Sequence, residues 1–496
     1  MKNLAISAVC LAVLTACGGG GGGTTQPTPA PAPTSTASTG AALTLAKAFL
    51  GSYDTSLATA IPAKGATALA LTDGCSLNNG ASKALAVSDY DADSLRVASR
   101  QFEVGSVRSA ISITADRTIT NANNTVRREI DVQYVIDYLD GTKDDKATQT
   151  LITGSSAGST LADGSACNAA QDSADLRFFG NRKIANTFVN ASNERLDRLQ
   201  LANGNPATTP LTYNRFITLG VRDPAKIATY ATISGPGLTS APGVPATFKM
   251  ISPRLLREDA LFAGKNGNFV DWRDTDTFRA CRTSTGTFAA ADVADCVTNG
   301  ATGAGWGNFG ATDPAAQDTA FNTLGVTAGG VYTVKLYAGI GWKTVNGQAT
   351  ETPIASYTST LENLPMSTVA LAGPVNKFPV FGTSSVAPPA VATNVTNKTA
   401  FSTDLTWTAP GVLPDARKTG LNALYSFEQG RASATGTAFN PASRQTTLSY
   451  PVSTALAATF NVPVPVTALV TPTYFEAGLE YTNRNGNFIR NLRTFQ

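Results

Sequence analysis

The chain has 496 residues, of which 15% are charged and 42% are apolar, and its formal net charge is +3. This small charge, spread over the whole length, excludes the clustered lysines and arginines of a nucleic-acid-binding protein. The sequence contains no histidine, which excludes catalytic triads with an imidazole base and zinc sites with histidine ligands. At roughly 150 residues per domain, the length predicts two to four domains.

The first residues have the pattern of an export signal. A short basic start, Met1-Lys2-Asn3, is followed by an apolar run over residues 4–16. A helix of this length spans about 20 Å, which is short of the ~30 Å hydrocarbon core of a bilayer. Residues 1–16 are therefore predicted to be a cleaved signal peptide and not a membrane-spanning anchor.

The apolar run ends in Leu14-Thr15-Ala16-Cys17, and Gly18 follows. These residues resemble the lipobox of bacterial lipoproteins. The resemblance implies that signal peptidase II cleaves between Ala16 and Cys17, and that Cys17 receives a diacylglycerol and a further fatty acid such as palmitate. Because glycine and not aspartate follows the cysteine, the resemblance also implies lipid anchoring in the outer membrane. The alternative is an ordinary secretory signal with a chance cysteine.

Residues 17–40 are predicted to be the lipidated cysteine and a tether. Six consecutive glycines, Gly18 to Gly23, precede a stretch dominated by Pro, Thr and Ala that reaches Gly40. Glycine runs behave as flexible coils and Pro-rich runs as extended spacers, and neither buries enough apolar surface to fold. At about 3.1 Å per residue, the tether reaches at most ~70 Å from the membrane.

The remaining cysteines predict disulfides. Once Cys10 leaves with the signal and Cys17 is acylated, four remain: Cys75, Cys167, Cys281 and Cys296. An even number in an exported protein favours two disulfides, with three possible pairings. We expect the local pairs, Cys75 with Cys167 and Cys281 with Cys296. Metal binding is the alternative, but without CxxC spacing or histidine we expect no metal and no cofactor.

Residues 41–195 have an α+β pattern. Helix formers from Ala41 place Leu43, Ala46, Leu50 and Tyr53 at helical spacing. In a later segment, apolar residues stand at every second position, which predicts a strand. One face of this strand is formed by Ile130, Val132, Tyr134, Ile136 and Tyr138. A helix followed by an antiparallel meander resembles the architecture of cystatin-like and NTF2-like domains, in which a helix lies in a curved sheet. The resemblance is architectural and has no diagnostic motif.

Residues 196–385 are predicted to form a β-sandwich-like domain. Short β-type runs occur at 211–221, 228–233, 247–251, 332–337 and 357–361, separated by Gly, Pro and Asn. The segment from about 260 to 330 is richer in Gly, Asp and Thr. We interpret it as an insertion that is poor in core residues and is cross-linked by Cys281 and Cys296.

Residues 386–496 are predicted to form a further β-sandwich. Within them, Thr403 to Gly411 resembles the strand of fibronectin type III modules in which a tryptophan enters the core just before a proline. The match covers only this strand. The length of the whole segment, residues 386–496, suits one sandwich. We expect Trp407 to be a buried core residue and not a binding residue. The fold class is thus mainly β and multi-domain, with β-sandwich modules after an N-terminal α+β domain.

Two glycine-rich motifs resemble catalytic or nucleotide-binding signatures. Gly154 to Gly158 matches the nucleophile elbow with Ser156 at its centre, but that elbow needs a histidine base. Gly305 to Gly310 matches GxGxxG, but no parallel-sheet pattern surrounds it. We predict a polar loop for the first and a flexible loop for the second.

Two aspartate clusters could hold a cation. Asp89 to Asp93 begins like a calcium loop, but the glycine and glutamate of that loop are replaced by Ser94 and Arg100. We therefore predict helix N-capping before Ser94. A second cluster lies beside Trp272, where a sugar or cation site competes with a solvated turn, which we favour; its members are Asp271, Asp274 and Asp276.

We expect a non-enzymatic binding or structural module whose lipid binds the membrane. An envelope protein, a glycan or a small apolar ligand could be its partner, and no nucleic acid is expected. A cup on the Tyr134, Ile136 and Tyr138 face could hold an apolar ligand, although core packing is the favoured use of these side chains. The alternative function is a glycan hydrolase that uses paired carboxylates, which needs no histidine.

Overall fold

The computed structural model describes much of the chain from Thr39 onward. The described residues are 39–58, 64–78, 80–92, 105–121, 123–138, 143–157, 172–180, 182–200, 205–241, 244–245, 248–265, 272, 275–281, 288–299, 305–345, 351–374, 376–382, 401–408, 416–427, 433–434, 445–450, 457–462, 475–483 and 487–495. The signal peptide, the lipobox with Ala16 and Cys17, and almost all of the tether lie outside them.

Helices precede a meander of strands in the N-terminal part. The elements are α1 (Thr39–Ala58), α2 (Lys64–Ala70), β1 (Leu77–Asn78), β2 (Ala81–Ser82), α3 (Lys83–Ala92), β3 (Val107–Thr120), β4 (Val126–Asp137), β5 (Lys143–Ser155) and β6 (Asp172–Phe178). Strands β3, β4, β5 and β6 pair in that order as neighbours in one antiparallel sheet, here called the meander sheet. The α+β pattern predicted for this region is therefore confirmed.

Helix α1 packs against one face of the meander sheet. Its buried residues recur every three or four positions and contact the predicted apolar face of β4. The Phe178 ring on β6 meets the Tyr53 ring edge-on, at 4.9 Å between centroids. Tyr134, Ile136 and Tyr138 are buried under the helix. The favoured prediction for these side chains, that they pack in the core, is therefore confirmed.

The second half of the elements follows in chain order. They are β7 (Asn186–Leu199), β8 (Pro206–Arg222), β9 (Tyr230–Ser234), β10 (Thr239–Ala241), β11 (Val244–Pro245), β12 (Phe248–Ile251), α4 (Leu255–Glu258), β13 (Arg279–Ala280), α5 (Ala290–Asn299), β14 (Gly305–Ala311), α6 (Pro314–Asn322), β15 (Val331–Tyr337), β16 (Ala355–Thr360), α7 (Thr368–Ala372), β17 (Val380–Phe381), β18 (Phe401–Thr408), β19 (Ala416–Phe427), β20 (Ser433–Ala434), β21 (Gln445–Tyr450), β22 (Ala457–Val462), β23 (Phe475–Asn483) and β24 (Phe488–Phe495). The runs predicted as strands correspond to β8, β9, β12, β15 and β16.

Two sheets stack to form a β-sandwich. The large sheet has the order β14-β8-β7-β24-β23-β19-β21, and the small sheet has the order β13-β12-β9-β15-β16. Alternate residues of facing strands, such as Ile217, Leu219, Ile233 and Val334, are fully buried between them. Together with the meander sheet, these sheets make the protein mainly β, as the sequence predicts.

The outer face of the small sheet is covered by the segment expected to be a core-poor insertion. Its aromatic residues Phe262, Trp272 and Phe288 are buried against this face, together with Trp342 from the segment that follows. The Cys281–Cys296 disulfide lies in the same cluster. The expectation of a core-poor insertion is wrong because several large side chains of this Gly-rich segment are buried, although Leu261 and Phe309 stay exposed.

Two expected domain boundaries do not coincide with the sheets. The boundary between residues 195 and 196 falls within β7. Strand β24, expected in a separate C-terminal sandwich, pairs in parallel with β7, from Phe488 opposite Ser192 to Phe495 opposite Leu199. The other C-terminal strands are divided between the large sheet and a sheet of order β17-β18-β22-β20. Strand β7 and the C-terminal strand β24 thus belong to one sheet.

A strap, residues 364–382, crosses the sandwich-facing side of the large sheet. Buried side chains of the sheet donate hydrogen bonds to its backbone carbonyls. Asn193 bonds to Met366 at 3.0 Å, the Arg215 guanidinium to Pro365 at 2.7 Å, and Asn491 to Pro379 at 2.8 Å. These polar groups would be costly to bury without partners, and they fasten β7, β8 and β24 to the strap.

Within the described ranges, we find no helix that combines the length and the apolar character needed to cross a bilayer.

Candidate functional site

The face of the large sheet that points away from the small sheet carries aromatic and polar side chains. The strand register places them there, because residues opposite each other on paired strands share a face. We call this surface the polar–aromatic face, and its members are Ser192, Glu194, Asn214, Phe216, Thr218, Phe309, Glu480, Phe488 and Arg490.

The aromatic part of this face lies over glycines of β14. The rings of Phe216 and Phe309 are 5.2 Å apart between centroids. Gly307 sits directly against Phe216 and the Arg215 carbonyl, where a Cβ atom would collide with both. Phe309 remains 39% exposed. The glycines thus leave room for the Phe216 and Phe309 rings at the sheet edge, and one ring stays open to solvent.

The polar part forms a row across adjacent strands. Asn214 on β8 donates a hydrogen bond to Glu194 on β7 at 2.5 Å, and its carbonyl oxygen accepts one from the Gly310 amide at 2.7 Å. On the other side of Glu194, Arg490 lies in register on β24, with Nε 3.6 Å from a Glu194 oxygen. The same nitrogen lies 3.8 Å from a Glu480 oxygen on β23. The row is therefore fixed in place by mutual contacts.

The row contains the paired carboxylates that the hydrolase alternative needs. Glycoside hydrolysis needs one carboxyl group to be protonated so that it can act as the general acid. The Nε atom of Arg490 lies between the two carboxylates, 3.6 Å from a Glu194 oxygen and 3.8 Å from a Glu480 oxygen.

A second unusual group is the buried Lys249 on β12, which is 5% exposed. Its ammonium group donates to the carbonyls of Trp342, at 3.4 Å, and Thr344, and it lies 4.9 Å from the centre of the Phe288 ring. Burial lowers its pKa from 10.5 to about 8. In the part of the chain that the structure describes, no carboxylate forms an ion pair with it. Perturbed groups of this kind cluster at functional sites, but Lys249 opens onto no described cleft.

Gly154 and Ser155 of the Ser156 motif are the last residues of β5, so the predicted polar loop is wrong for these two residues. Ser156 is fully buried after β5 and hydrogen-bonds Asp73, whose carboxylate also contacts Arg177 and Arg182. The prediction that Ser156 is not a nucleophile stays a prediction, because residues 158–171 lie outside the described residues. The predicted loop at Gly305 to Gly310 is wrong. It forms most of β14, because glycines without Cβ atoms fit closely against β8.

The aspartate clusters are not brought together as cation sites among the described residues, which hold no group of three or more metal-ligating side chains. Asp89 and Asp91 lie inside α3, which ends at Ala92. Asp93 and the helix predicted from Ser94 lie outside the described residues, so the N-capping before Ser94 stays a prediction. Asp276 pairs with Arg222 at 3.1 Å, and the Trp272 indole donates to the Thr277 carbonyl at 2.6 Å. Asp271 and Asp274 lie outside the described residues.

The predicted disulfide between Cys281 and Cys296 is confirmed, with 4.8 Å between Cα atoms. Cys75 is buried and also disulfide-bonded. Its expected partner Cys167 lies outside the described residues, as does the Trp407 side chain. The acylation of Cys17 stays a prediction.

Peptide mapping of the non-reduced protein checks the second disulfide. We expect one peptide pair that joins Cys75 to Cys167 and another that joins Cys281 to Cys296, because the predicted export signal implies an oxidising compartment and the first pair shares the predicted N-terminal domain. The reduced protein is the control and should release all four cysteines. A free thiol at Cys167, or a link from Cys75 to any other cysteine, would contradict the prediction.

The polar–aromatic face could not be found from sequence. Glu194, Asn214 and Phe216 lie on strands next to each other in the chain, but Glu480 and Arg490 join them only through the parallel pairing of β24 with β7. The one available signal is the alternation of polar and apolar residues in β24, which predicts a strand without naming its neighbour.

Comparisons with known proteins give weak similarity. No protein-family model matches the chain, and no curated protein matches its sequence. A structure that bears on the host cell surface retention of a 1.5-MDa bacterial ice-binding adhesin is 9% identical, with a TM-score of 0.14; the match covers 74% of this chain and 73% of that chain. For the collagen binding domain of the Erysipelothrix rhusiopathiae surface protein RspB, the identity is 8%, the TM-score is 0.14, and 61% of this chain and 94% of that chain are covered.

The N-terminal domain of the Streptococcus gordonii adhesin Sgo0707 is similarly distant. It is 7% identical, with a TM-score of 0.15, and the match covers 78% of this chain and 92% of that chain. TM-scores of this size fall below those of proteins with a common fold. These similarities therefore give no information about the function of this chain.

Proposed function

We propose that the chain is an outer-membrane lipoprotein of a bacterial envelope, anchored through Cys17, whose folded part is a non-enzymatic binding module. Support for the anchor is the lipobox-like sequence from Leu14 to Cys17 after an apolar run too short to span a bilayer. Several acyl chains hold a protein far more firmly than one chain does. The Gly- and Pro-rich tether then allows the folded part to extend away from the membrane surface.

The proposal of a binding function rests on the polar–aromatic face. An exposed aromatic ring beside fixed amide, carboxylate and guanidinium groups offers an apolar plane and directional hydrogen bonds on one rigid surface. Phe309 and Asn214 provide these two elements on adjacent strands. Planar polar groups next to a ring suit a glycan, whose C–H faces stack on aromatic rings while its hydroxyls bond to amides and carboxylates. A partner protein is the other candidate, because aromatic and arginine side chains are enriched in protein interfaces.

Two alternatives have less support. A small apolar ligand in the curved meander sheet would compete with α1, whose Leu50 and Tyr53 occupy that face. A hydrolase based on Glu194 and Glu480 would need Arg490 to move away from between the two carboxylates. Binding without turnover does not require this movement.

Substitution of Phe309 tests the proposed function. Binding of the purified protein to an array of immobilised neutral oligosaccharides, and to immobilised outer-membrane proteins, would be measured for the wild type and Phe309→Ala. We expect one of the two probes to bind and the substitution to weaken binding about tenfold, as loss of a central aromatic side chain does. The thermal unfolding temperature should stay nearly unchanged, because the ring is exposed.

A matched control is Val331→Ala, which removes an exposed apolar side chain, 53% accessible, from the small sheet. This variant should bind like the wild type. Equal binding by Phe309→Ala, or binding by neither probe, would contradict the proposal. Release of reducing sugar that stops in Glu194→Gln would instead establish the hydrolase.

A further inference from the structure

We propose that Arg127, Arg182 and Phe179 form a binding site for an oxyanion, which is a carboxylate, sulfate or phosphate group. The site lies beside the meander sheet, where the chain leaves β6 toward β7. It is separate from the polar–aromatic face, and the proposal does not rest on the function assigned to that face.

The first observation is an excess of positive charge. Asp73 is fully buried, and its carboxylate forms ion pairs with the guanidinium groups of Arg177, at 2.9 Å, and Arg182, at 2.6 Å. The Glu129 carboxylate likewise forms two ion pairs, with Arg127 at 2.8 Å and with Arg117 at 2.6 Å. The ammonium group of a further cation, Lys83, is also attracted by Asp73 but donates its hydrogen bond to the Thr72 carbonyl.

Some of this charge is balanced elsewhere, because Arg117 also pairs with Asp131. Among the described residues, Asp73, which Arg177 shares, and part of Glu129 oppose the charges of Arg127, Arg182 and Lys83. Buried charges are costly unless they are paired. Burial lowers the pKa of Arg182, and the charges of Arg127 and Arg177 add to that effect against the attraction of Asp73. An anion beside Arg182 would relieve this repulsion.

The second observation is a set of unused donors. The Nη2 atom of Arg182 bonds to Asp73, but its Nε and Nη1 atoms are buried and have no hydrogen-bond partner among the described residues. A buried donor left without an acceptor costs about 1–3 kcal/mol. An oxyanion supplies the acceptor oxygens that both atoms lack, and it supplies the missing negative charge at the same time.

The third observation is the arrangement around the Phe179 ring. The Arg182 guanidinium carbon lies 4.4 Å from the ring centre, and that of Arg127 lies 5.2 Å from it. The ring therefore holds two like charges near each other, although they repel. Each of the two arginine side chains keeps 12% of its surface exposed. The exposed part of Arg182 does not include its Nε and Nη1 atoms, so an anion reaches these donors only when the side chain shifts.

Calorimetric titration of the full chain tests the site. Sodium sulfate, sodium phosphate and sodium glucuronate would be titrated separately at constant ionic strength. We expect saturable binding of at least one anion with a stoichiometry of one. Preference for glucuronate would assign the carboxylate of an acidic sugar, and preference for sulfate or phosphate would assign those groups. Absence of saturable binding to the wild type by all three would overturn the proposal.

Substitutions locate the bound anion. Arg182→Gln and Arg127→Gln should each weaken binding at least about tenfold, because each removes a charge-assisted hydrogen-bond donor. The matched control is Arg222→Gln, which removes a guanidinium that is 55% exposed and paired with Asp276. It should bind like the wild type. If the control loses affinity as much as the two test variants do, or if neither test variant loses affinity, the anion binds elsewhere and the proposal fails. Circular dichroism would show that each variant is folded, and a single folded test variant is enough to decide.

Discussion

Replacement of Asp73 by asparagine is expected to lower the free energy of unfolding by about 3–5 kcal/mol. The Asp73 carboxylate has no exposed surface and is the shared partner of Arg177 and Arg182. It also accepts a hydrogen bond from the Cys75 amide at 3.0 Å. Asparagine has nearly the same shape but no charge, so two buried guanidinium groups would lose their counter-ion.

The position of Asp73 explains why this loss would affect the whole N-terminal unit. Its amide donates to the Phe178 carbonyl at 2.8 Å, and the Phe178 amide donates to the Leu71 carbonyl at 2.8 Å. The carboxylate thus stabilises the junction between the α2–β1 turn and the edge strand β6. Removal of the charge would weaken the packing of the helices on the meander sheet.

The pH dependence has a definite sign. Burial raises the pKa of Asp73, but hydrogen bonds from Ser156, Arg177 and the Cys75 amide and the charge of Arg182 outweigh it, so the pKa lies below 3.8. The carboxylate therefore stabilises the folded state above pH 3.8. This stabilisation is lost as the pH falls below 3.8 and through the folded pKa.

Urea unfolding at pH 7 measures the effect, with fluorescence and circular dichroism as probes. The control is Asp276→Asn, which removes a carboxylate from a half-exposed ion pair with Arg222 and should cost less than about 1 kcal/mol. Equal effects of the two substitutions would contradict the importance assigned to the buried pairs.

Replacement of Lys249 by methionine is expected to stabilise the protein at pH 7, by about 1–3 kcal/mol. Burial disfavours the charged ammonium group, and its described partners are carbonyl groups and the Phe288 ring. Methionine has a similar length and no charge. Part of the gain would be offset because the Thr344 carbonyl loses its donor.

The effect of this substitution should depend on pH. The folded pKa of about 8 lies below the unfolded value of 10.5, so the unfolded state binds more protons between these values. The wild type therefore becomes more stable as the pH rises from 8 toward 10.5, and below pH 8 the full cost of burying the charge is present. The advantage of the methionine variant should shrink by about 2–3 kcal/mol between pH 7 and pH 10.

Lys335→Met is the matched control. Lys335 and Lys249 lie opposite the same residue, Thr232, on the two strands that flank β9, but Lys335 is exposed. Denaturant unfolding at pH 7, 8, 9 and 10 would compare the two variants. A Lys249→Met advantage that stays constant over this range, or that matches the Lys335→Met result, would contradict a buried charged lysine.

Local patterns in the sequence predicted the elements whose neighbours are close in the chain. The alternation from Ile130 to Tyr138 predicts a strand with one buried face, and all of these apolar positions are buried. The helical spacing around Leu50 predicts α1, which begins at Thr39 and ends at Ala58. Both patterns record which side of one element faces a core, and that information is local.

The parts that could not be predicted depend on contacts between distant segments. Nothing near Phe488 in the sequence specifies that β24 pairs in parallel with β7, so the C-terminal strands looked like an independent sandwich. The same pairing brings Arg490 to Glu194 and creates the polar–aromatic face. In the Gly-rich segment, overall composition obscured the burial of single large residues such as Trp272.

Metabolic labelling with an alkyne fatty acid, followed by membrane fractionation, tests the proposed lipid anchor most directly. Full-length wild type, Cys17→Ala and Cys10→Ala would be expressed in an envelope-bearing bacterium. Wild type and Cys10→Ala should carry the label and sediment with the outer membrane, because Cys10 leaves with the signal peptide. Cys17→Ala should lose the label. An unlabelled wild type that is released in soluble form, or a Cys17→Ala variant that keeps the label, would contradict the proposed anchor.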